Sequence, residues 1–243
     1  MKYTAIGHGL THNTSEFQEK QSVNKNRRSL ATNDNDNLWD EGIIPYEIDN
    51  SYTGQQRKLI KQAMRHWEQS TCLKFFPRIK ELDKHYVVFA KQQCGCCSFV
   101  GKQLSAMQIL SMADNCMSLG MILHELGHTI GLHHEHSRPD RDKYVEVLNA
   151  NIMIGEERNF AKESENNSTT LGQAYDYDSI MHYPGNGSSK RLDLDTIRPL
   201  MKINGKLPIL RKRNNLSRGD IVTTNLLYHC LSTYHLSYQY TLV

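Results

Sequence analysis

The sequence predicts an α+β domain whose chemistry rides on one helix, and three observations lead there. Four runs rich in β-branched and aromatic residues fall at 43–48, 73–76, 86–90 and 107–112, all in the first half of the chain. Helical patterns enter after Thr53, from about Met117 and again after Ser217. Beyond His134 regular structure thins into short turns and polar loops, so the β-type runs are confined to the first half.

In chain order, residues 1–28 are polar without a hydrophobic period and close on Lys25-Asn26-Arg27-Arg28. That basic cluster reads as a processing site, with a solvated linker as the alternative. Asn33 to Asn37 continue as a loop, and order begins at Trp39. Pro45 makes the first β-type run an edge or a strand start. Thr53 caps a helix whose buried stripe is Ile60, Met64 and Trp67, reaching about Ser70. A cysteine-dense loop, 93–101, separates the third run from the fourth. The second helix packs through Met121, Ile122, Leu126 and Ile130. Residues 145–154 and 156–161 read as short helical turns, and 163–170 as a polar loop. Ser217, with Asp220 in the first turn, starts a last helix through Ile221, Leu226 and Leu227 to about Cys230. The uncharged stretch 231–243 carries no assignable element.

The second helix holds the pattern His124-Glu125-x-x-His128-x-x-Gly131-x-x-His134. Four residues apart on a helix, His124 and His128 share a face one turn from each other. At that separation two imidazoles reach one metal ion, with Glu125 beside them to handle a proton. Gly131 suits a left-handed helix end that swings the chain back and delivers His134 to the same ion. Three neutral nitrogen ligands leave a fourth tetrahedral position open for water, as one catalytic Zn2+ requires. A bare H-E-x-x-H occurs by accident, and in a chain with twelve histidines a wet helix face is the bland reading. Each further residue at its required offset cuts that accidental rate by about a factor of ten to fifty. His133 and His136 lack the right spacing from Gly131 and read as exposed or as neighbours of the ligands. On charge alone, 135–142 reads as a salt-bridged surface turn.

At 243 residues the chain can bury a full core, and one catalytic domain with short extensions is the natural count. Lysine and arginine total 29 against 26 acids, which with all-histidine ligation argues against a nucleic-acid-binding zinc protein. No apolar stretch approaches the roughly 18 residues of a membrane span. Six cysteines beside a histidine site point to disulfides and an oxidising compartment. Sequons at Asn13, Asn166, Asn167, Asn186 and Asn215 permit glycosylation. A secreted protein is expected, its amino-terminal signal not visible in this sequence.

The extended zinc motif, followed by Glu135 and then Arg138-Pro139-Asp140-Arg141-Asp142, resembles the astacin family of zinc endopeptidases within the metzincins. Ser179-Ile180-Met181-His182-Tyr183 resembles that family's methionine turn and its tyrosine, and Trp39-x-x-Gly42-x-Ile44-Pro45-Tyr46 its domain start. Residues 94–101 and 63–68 look most like the tolloid, or procollagen C-proteinase, branch. The resemblance implies a two-lobed catalytic domain. A twisted, mostly parallel sheet and two long helices form the amino-terminal lobe, an irregular lobe with one long helix follows, and a cleft lies between them. It implies a propeptide remnant or linker over 1–28, a catalytic domain over 29–230 and an unassigned tail over 231–243.

Of the fifteen pairings open to six cysteines, the resemblance implies Cys72–Cys230, Cys96–Cys116 and Cys94–Cys97. Met181 is implied to form an apolar floor under the zinc, where residue type alone gives an ordinary core methionine. Tyr183 is implied to be a fifth ligand that swings away to hydrogen-bond the reacting carbonyl, where spacing alone gives a turn tyrosine. Glu135 is implied to meet, through water, the amino terminus at Ser29 made by cleavage after Arg28. Arg213 matches one of the basic residues that favour an acid just after the cut, although Ser118 and Leu207 stand where lysines are expected. The expected chemistry is hydrolysis of protein or peptide substrates by a monomeric catalytic domain, with His124, His128 and His134 on zinc, Glu125 as general base and Tyr183 on the oxyanion. The rival is a catalytically inactive zinc module that binds extracellular proteins.

Overall fold

The computed structural model describes residues 30–230. The readings made for 1–28, for Ser29 and for 231–243 lie outside the described residues. In chain order the elements are β1 (Ala31–Thr32), β2 (Ile43–Ile48), α1 (Gly54–Ser70), β3 (Lys74–Pro77), β4 (Tyr86–Ala90), β5 (Cys96–Cys97) and β6 (Met107–Met112). Then come α2 (Leu119–Thr129), β7 (Val145–Val147), β8 (Ser168–Thr169), β9 (Ile197–Pro199) and α3 (Arg218–Leu227).

Thr53 opens α1 with a reciprocal cap. Its hydroxyl accepts from the Gln56 N–H at 3.3 Å, and the Gln56 Oε1 accepts from the Thr53 N–H at 2.9 Å. The main sheet runs β3-β2-β4-β6-β5, parallel throughout except for β5, which returns antiparallel along β6. One apolar cluster joins sheet and helices: Ile60, Met64 and Trp67 from α1, Phe89 and Leu110 from the sheet, and Ile122, Leu123 and Leu126 from α2. Two tryptophans fix the height of α2 inside that cluster. Trp67 Nε1 donates to the Leu123 carbonyl at 3.3 Å and Trp39 Nε1 to the Thr129 carbonyl at 2.9 Å, so the two zinc-motif turns are gripped on either side.

The second half is held by short pairings, β1 with β8 and β7 with β9, around a smaller cluster of Val145, Ile152, Phe160, Tyr175, Tyr177 and Ile197. The helical turns predicted over 145–154 are corrected here. Val145 and Val147 flank an outward Glu146 in a strand, and a single 3-10 turn, Asn149–Asn151, follows. Three residues of alternation are too few to stand out in a sequence. The last helix stops at Leu227, earlier than predicted, because His229 adopts a left-handed φ of 49°. The Cys230 N–H then closes on the Asn225 carbonyl at 2.9 Å. That turn aims Cys230 at Cys72. The disulfides are Cys72–Cys230, Cys94–Cys97 and Cys96–Cys116, the pairs the resemblance implies. Among the described residues no helix is long and apolar enough to cross a membrane.

Candidate metal centre and cleft

The end of α2 is a Schellman turn. Gly131, at φ 102°, sends its N–H to the His128 carbonyl at 2.8 Å, and Leu132 sends its own to the Gly127 carbonyl at 2.9 Å. This reversal brings His134 back over the helix, with its Nε2 3.2 Å from that of His124 and 3.1 Å from that of His128. The three ligand atoms lie within 4.8 Å of one another. Carbonyls only accept, so the Nδ1 of His124, 2.8 Å from the Ile180 oxygen, must carry the proton. The same holds for the Nδ1 of His128, 2.8 Å from the Leu132 oxygen. Their Nε2 atoms are therefore bare lone pairs converging on a third imidazole. Burial pushes all three histidines down, the last two far down, so they stay neutral. A converging set of neutral nitrogens with backbone-fixed tautomers is the donor set zinc takes, and the residues present fit that ion.

Glu125 faces the same cleft, of about 560 Å³, and is 4% exposed. Burial pushes its carboxyl up to about 8, and a divalent ion on the neighbouring imidazoles would oppose that push. Tyr183 lines the opposite wall, its ring centroid 4.7 Å from that of His134 and 4.2 Å from that of His136. Burial raises its hydroxyl to about 12, which keeps it a donor at neutral pH. The cysteine-dense loop contributes Cys94, Cys96, Cys97 and Ser98 to the rim.

Met181 lies behind the converging imidazoles and does not line the cleft, its sulfur against Gly127 between the two helical histidines. The turn that carries it is fixed by Asp220 of α3. This carboxylate accepts from the Ser179 hydroxyl at 2.7 Å, the Ile180 N–H at 2.9 Å and the Ser217 N–H at 2.8 Å. Asp220 is the supporting residue the sequence reading missed: the helix-cap pattern flagged the position but not its tertiary partner. Since the Ile180 carbonyl orients His124, the chain of contacts runs from α3 to the metal site.

Within 135–142, residues 135–138 are corrected from surface to interior, while Arg141, Asp142 and Lys162 form the expected surface ion pairs. Glu135, His136, Ser137 and Arg138 are all buried. Glu135 Oε1 accepts from Arg138 at 3.2 Å and from the Asp176 N–H at 2.8 Å, while Arg138 grips Asp140 through two 2.8 Å bonds. Burial holds the Glu135 carboxyl well above the usual range despite Arg138. His136 is fully buried and His133 mostly so, neither reading as exposed. Leu30 and Ala31 are buried alongside: the Leu30 carbonyl accepts from the His133 N–H at 3.2 Å, and Ala31 bridges to Leu132. Arg213 does line the cleft, but its guanidinium is engaged by Asp178 at 2.5 Å and by the carbonyls of Tyr177 and Ile209.

The chain is similar to known proteins. A profile of the Astacin peptidase family matches residues 31–229. Tolloid-like protein 1 of Homo sapiens is 43% identical over 232 residues, covering 93% of this chain and 23% of the human one. The dorsal-ventral patterning protein tolloid of Drosophila melanogaster is 46% identical over 223 residues, covering 92% and 21%. The chain thus spans under a quarter of the length of either. Among solved structures, high choriolytic enzyme 1, a hatching enzyme zinc-protease from Oryzias latipes, superposes with a TM-score of 0.71 at 33% identity over 88% of this chain and 99% of that one.

Proposed function

This chain belongs to the astacin family of peptidases, and from that premise we propose that it is an extracellular zinc-dependent endopeptidase. The observation that carries the reading is the convergence of three backbone-oriented imidazoles beside a buried carboxylate in an open cleft. Zinc held by His124, His128 and His134 would acidify a water and polarise the scissile carbonyl. Glu125 accepts the proton of the attacking water on its carboxylate and passes it to the leaving amine nitrogen. Tyr183 donates its hydroxyl to the carbonyl oxygen as charge develops there. Met181 supplies an apolar floor beneath the ligands.

Residues 29–230 form the catalytic unit in this reading, acting as a monomer on protein substrates. The three disulfides support an oxidising compartment. Likeness to tolloid supports extracellular-matrix or growth-factor-related proteins as the substrate class. The burial of Leu30 and Ala31 beside the motif supports cleavage after Arg28, with the new Ser29 amino terminus meeting Glu135. The test is Glu125→Gln on zinc-loaded protein, with metal content and cleavage of a denatured protein measured together. Zinc should remain and hydrolysis should fall by at least about a hundredfold. Cleavage at the parent rate would remove Glu125 from the mechanism; a parent that holds zinc but cuts nothing would make this a binding module.

A further inference from the structure

Glu156 lines the cleft and is half-buried there. Its Oε2 accepts from the Asn159 side-chain amide and, at 3.4 Å, from the Ser188 hydroxyl. Its Oε1 takes no protein donor, and no lysine, arginine or histidine pairs with it among the described residues. The backbone beneath it is fixed. The Glu156 N–H donates to the Met153 carbonyl at 3.0 Å, and the Glu156 carbonyl accepts from the Asn159 N–H at 3.0 Å. The strip is also stitched to a neighbouring one. Ile152 bridges to Ser189, the Met153 N–H donates to the Ser188 carbonyl at 2.9 Å, and the Lys190 N–H donates to the Asn151 carbonyl at 2.9 Å.

This carboxylate stands at the tyrosine wall of the site. Ser188 follows Gly187, which packs so closely on Tyr183 that a β-carbon there would meet the ring at 2.9 Å. Burial first, and then the charge of Glu156, raise the Tyr183 hydroxyl. The cations of the cleft enter elsewhere: the Arg213 carbonyl packs on Gly120 in the first turn of α2, with Lys212 next in the chain. Glu125 is the other carboxylate of the lining, and the proton transfer of hydrolysis engages it. A fixed, half-buried carboxylate with a free oxygen attracts a cation more strongly than it would on the open surface, and repels an anion. One carboxylate alone does not hold a divalent ion, and the only cluster among the described residues able to do so is the histidine triad. The cation that a polypeptide brings is a lysine or arginine side chain, and either donates to a carboxylate oxygen.

We propose that Glu156 is a specificity residue that takes a lysine or arginine side chain of the substrate close to the cut bond, at the Tyr183 wall of the cleft. The proposal rests on the endopeptidase reading for its effect on cleavage, but its binding can be read without cleavage.

The experiment uses quenched-fluorescent peptides built on one cleaved sequence, with Lys or Gln placed in turn at each position flanking the cut, and compares kcat/KM on the zinc-loaded full chain. At one position the parent should favour Lys over Gln about tenfold. Glu156→Gln, which can still accept from Asn159 and Ser188, should bring that ratio to about one, and Glu156→Lys should favour Glu over Gln at the same position. Anisotropy of fluorescein-labelled Lys and Gln peptides should give the same order of Kd on the Glu125→Gln chain and lose it on Glu125→Gln/Glu156→Gln. A parent that cuts no peptide but binds the Lys form through Glu156 would sink the endopeptidase reading and keep this site. A Lys-over-Gln ratio that is the same in parent and Glu156→Gln would overturn the proposal. So would an equal fall in kcat for every peptide, which would make Glu156 a support for Tyr183 with no contact to substrate.

Discussion

The sulfur of Met181 occupies the space that a β-carbon on Gly127 would need. Gly127 lies in the turn of α2 between His124 and His128, so the methionine touches bare helix backbone directly behind the two imidazoles. Gly127→Ala adds about 1 kcal/mol of helix propensity but overpacks a buried contact at about 1–3 kcal/mol. A net loss of stability and weaker zinc retention are expected. Adding Met181→Ala should recover part of both, which thermal melts with and without chelator would read. Met181→Leu should cost under about 1.5 kcal/mol and keep zinc. Loss of zinc in that variant would mean the sulfur is a ligand and not a floor.

The Cys72–Cys230 bridge closes a loop with a sequence separation of 158 residues, tying the end of α1 to the end of α3. In the chain-entropy model such a loop stabilises by about 5 kcal/mol. Cys72→Ser/Cys230→Ser should therefore melt roughly 10–20 °C below the parent. A shift of a degree or two would show that the unfolded chain is already compact, or that packing alone holds α3 in place.

The convergence of His124, His128 and His134 was legible because its geometry is local. Two histidines one helical turn apart and a glycine at positive φ decide where His134 goes, and nothing distant is needed. That Met181 packs against Gly127 and that Tyr183 lines the cleft could be anticipated only through resemblance, since both positions depend on a turn held by Asp220, forty residues from Ile180. Charge misled at 135–138. Arg138 and Glu135 read as surface residues, yet they meet in the interior, with Asp140 on the other edge of the guanidinium. The pairings of β1 with β8 and of β7 with β9 involve two or three residues each, too short for any periodicity to register.

Below neutral pH the fold should weaken through His182. Its Nδ1–H donates to the Tyr183 carbonyl at 2.7 Å, so its Nε2 accepts from the Tyr175 hydroxyl at 2.8 Å. Burial pushes this histidine down to about 4. A folded value below the unfolded one, near 6.5, means the unfolded chain takes the proton first. The stabilisation is thus complete above pH 6.5 and lost as pH falls toward 4, up to about 3 kcal/mol. Urea unfolding at pH 7.5 and 5.0 would read it. His182→Phe should be less stable at both pH values but with a shallower pH slope; an unchanged slope would assign the acid sensitivity to other groups.

In the endopeptidase reading, the pairing of Arg213 with Asp178 is expected to govern how strongly the cleft prefers an acid after the cut. The Arg213 guanidinium is largely buried and engaged at 2.5 Å by a carboxylate whose own side chain is 76% exposed. A substrate carboxylate would have to share that cation, so among the described residues only Lys212 offers an uncommitted positive charge at the wall. Profiling cleavage of a proteome-derived peptide library should show Asp and Glu enriched modestly after the cut. Asp178→Asn, which releases Arg213 while keeping the side chain's shape, should strengthen that enrichment several-fold. Arg213→Ala should reduce it to what Lys212 alone supports. If Asp178→Asn weakens the preference, the carboxylate acts by aiming Arg213 rather than by competing for it; an unchanged profile in both variants would remove Arg213 from specificity altogether.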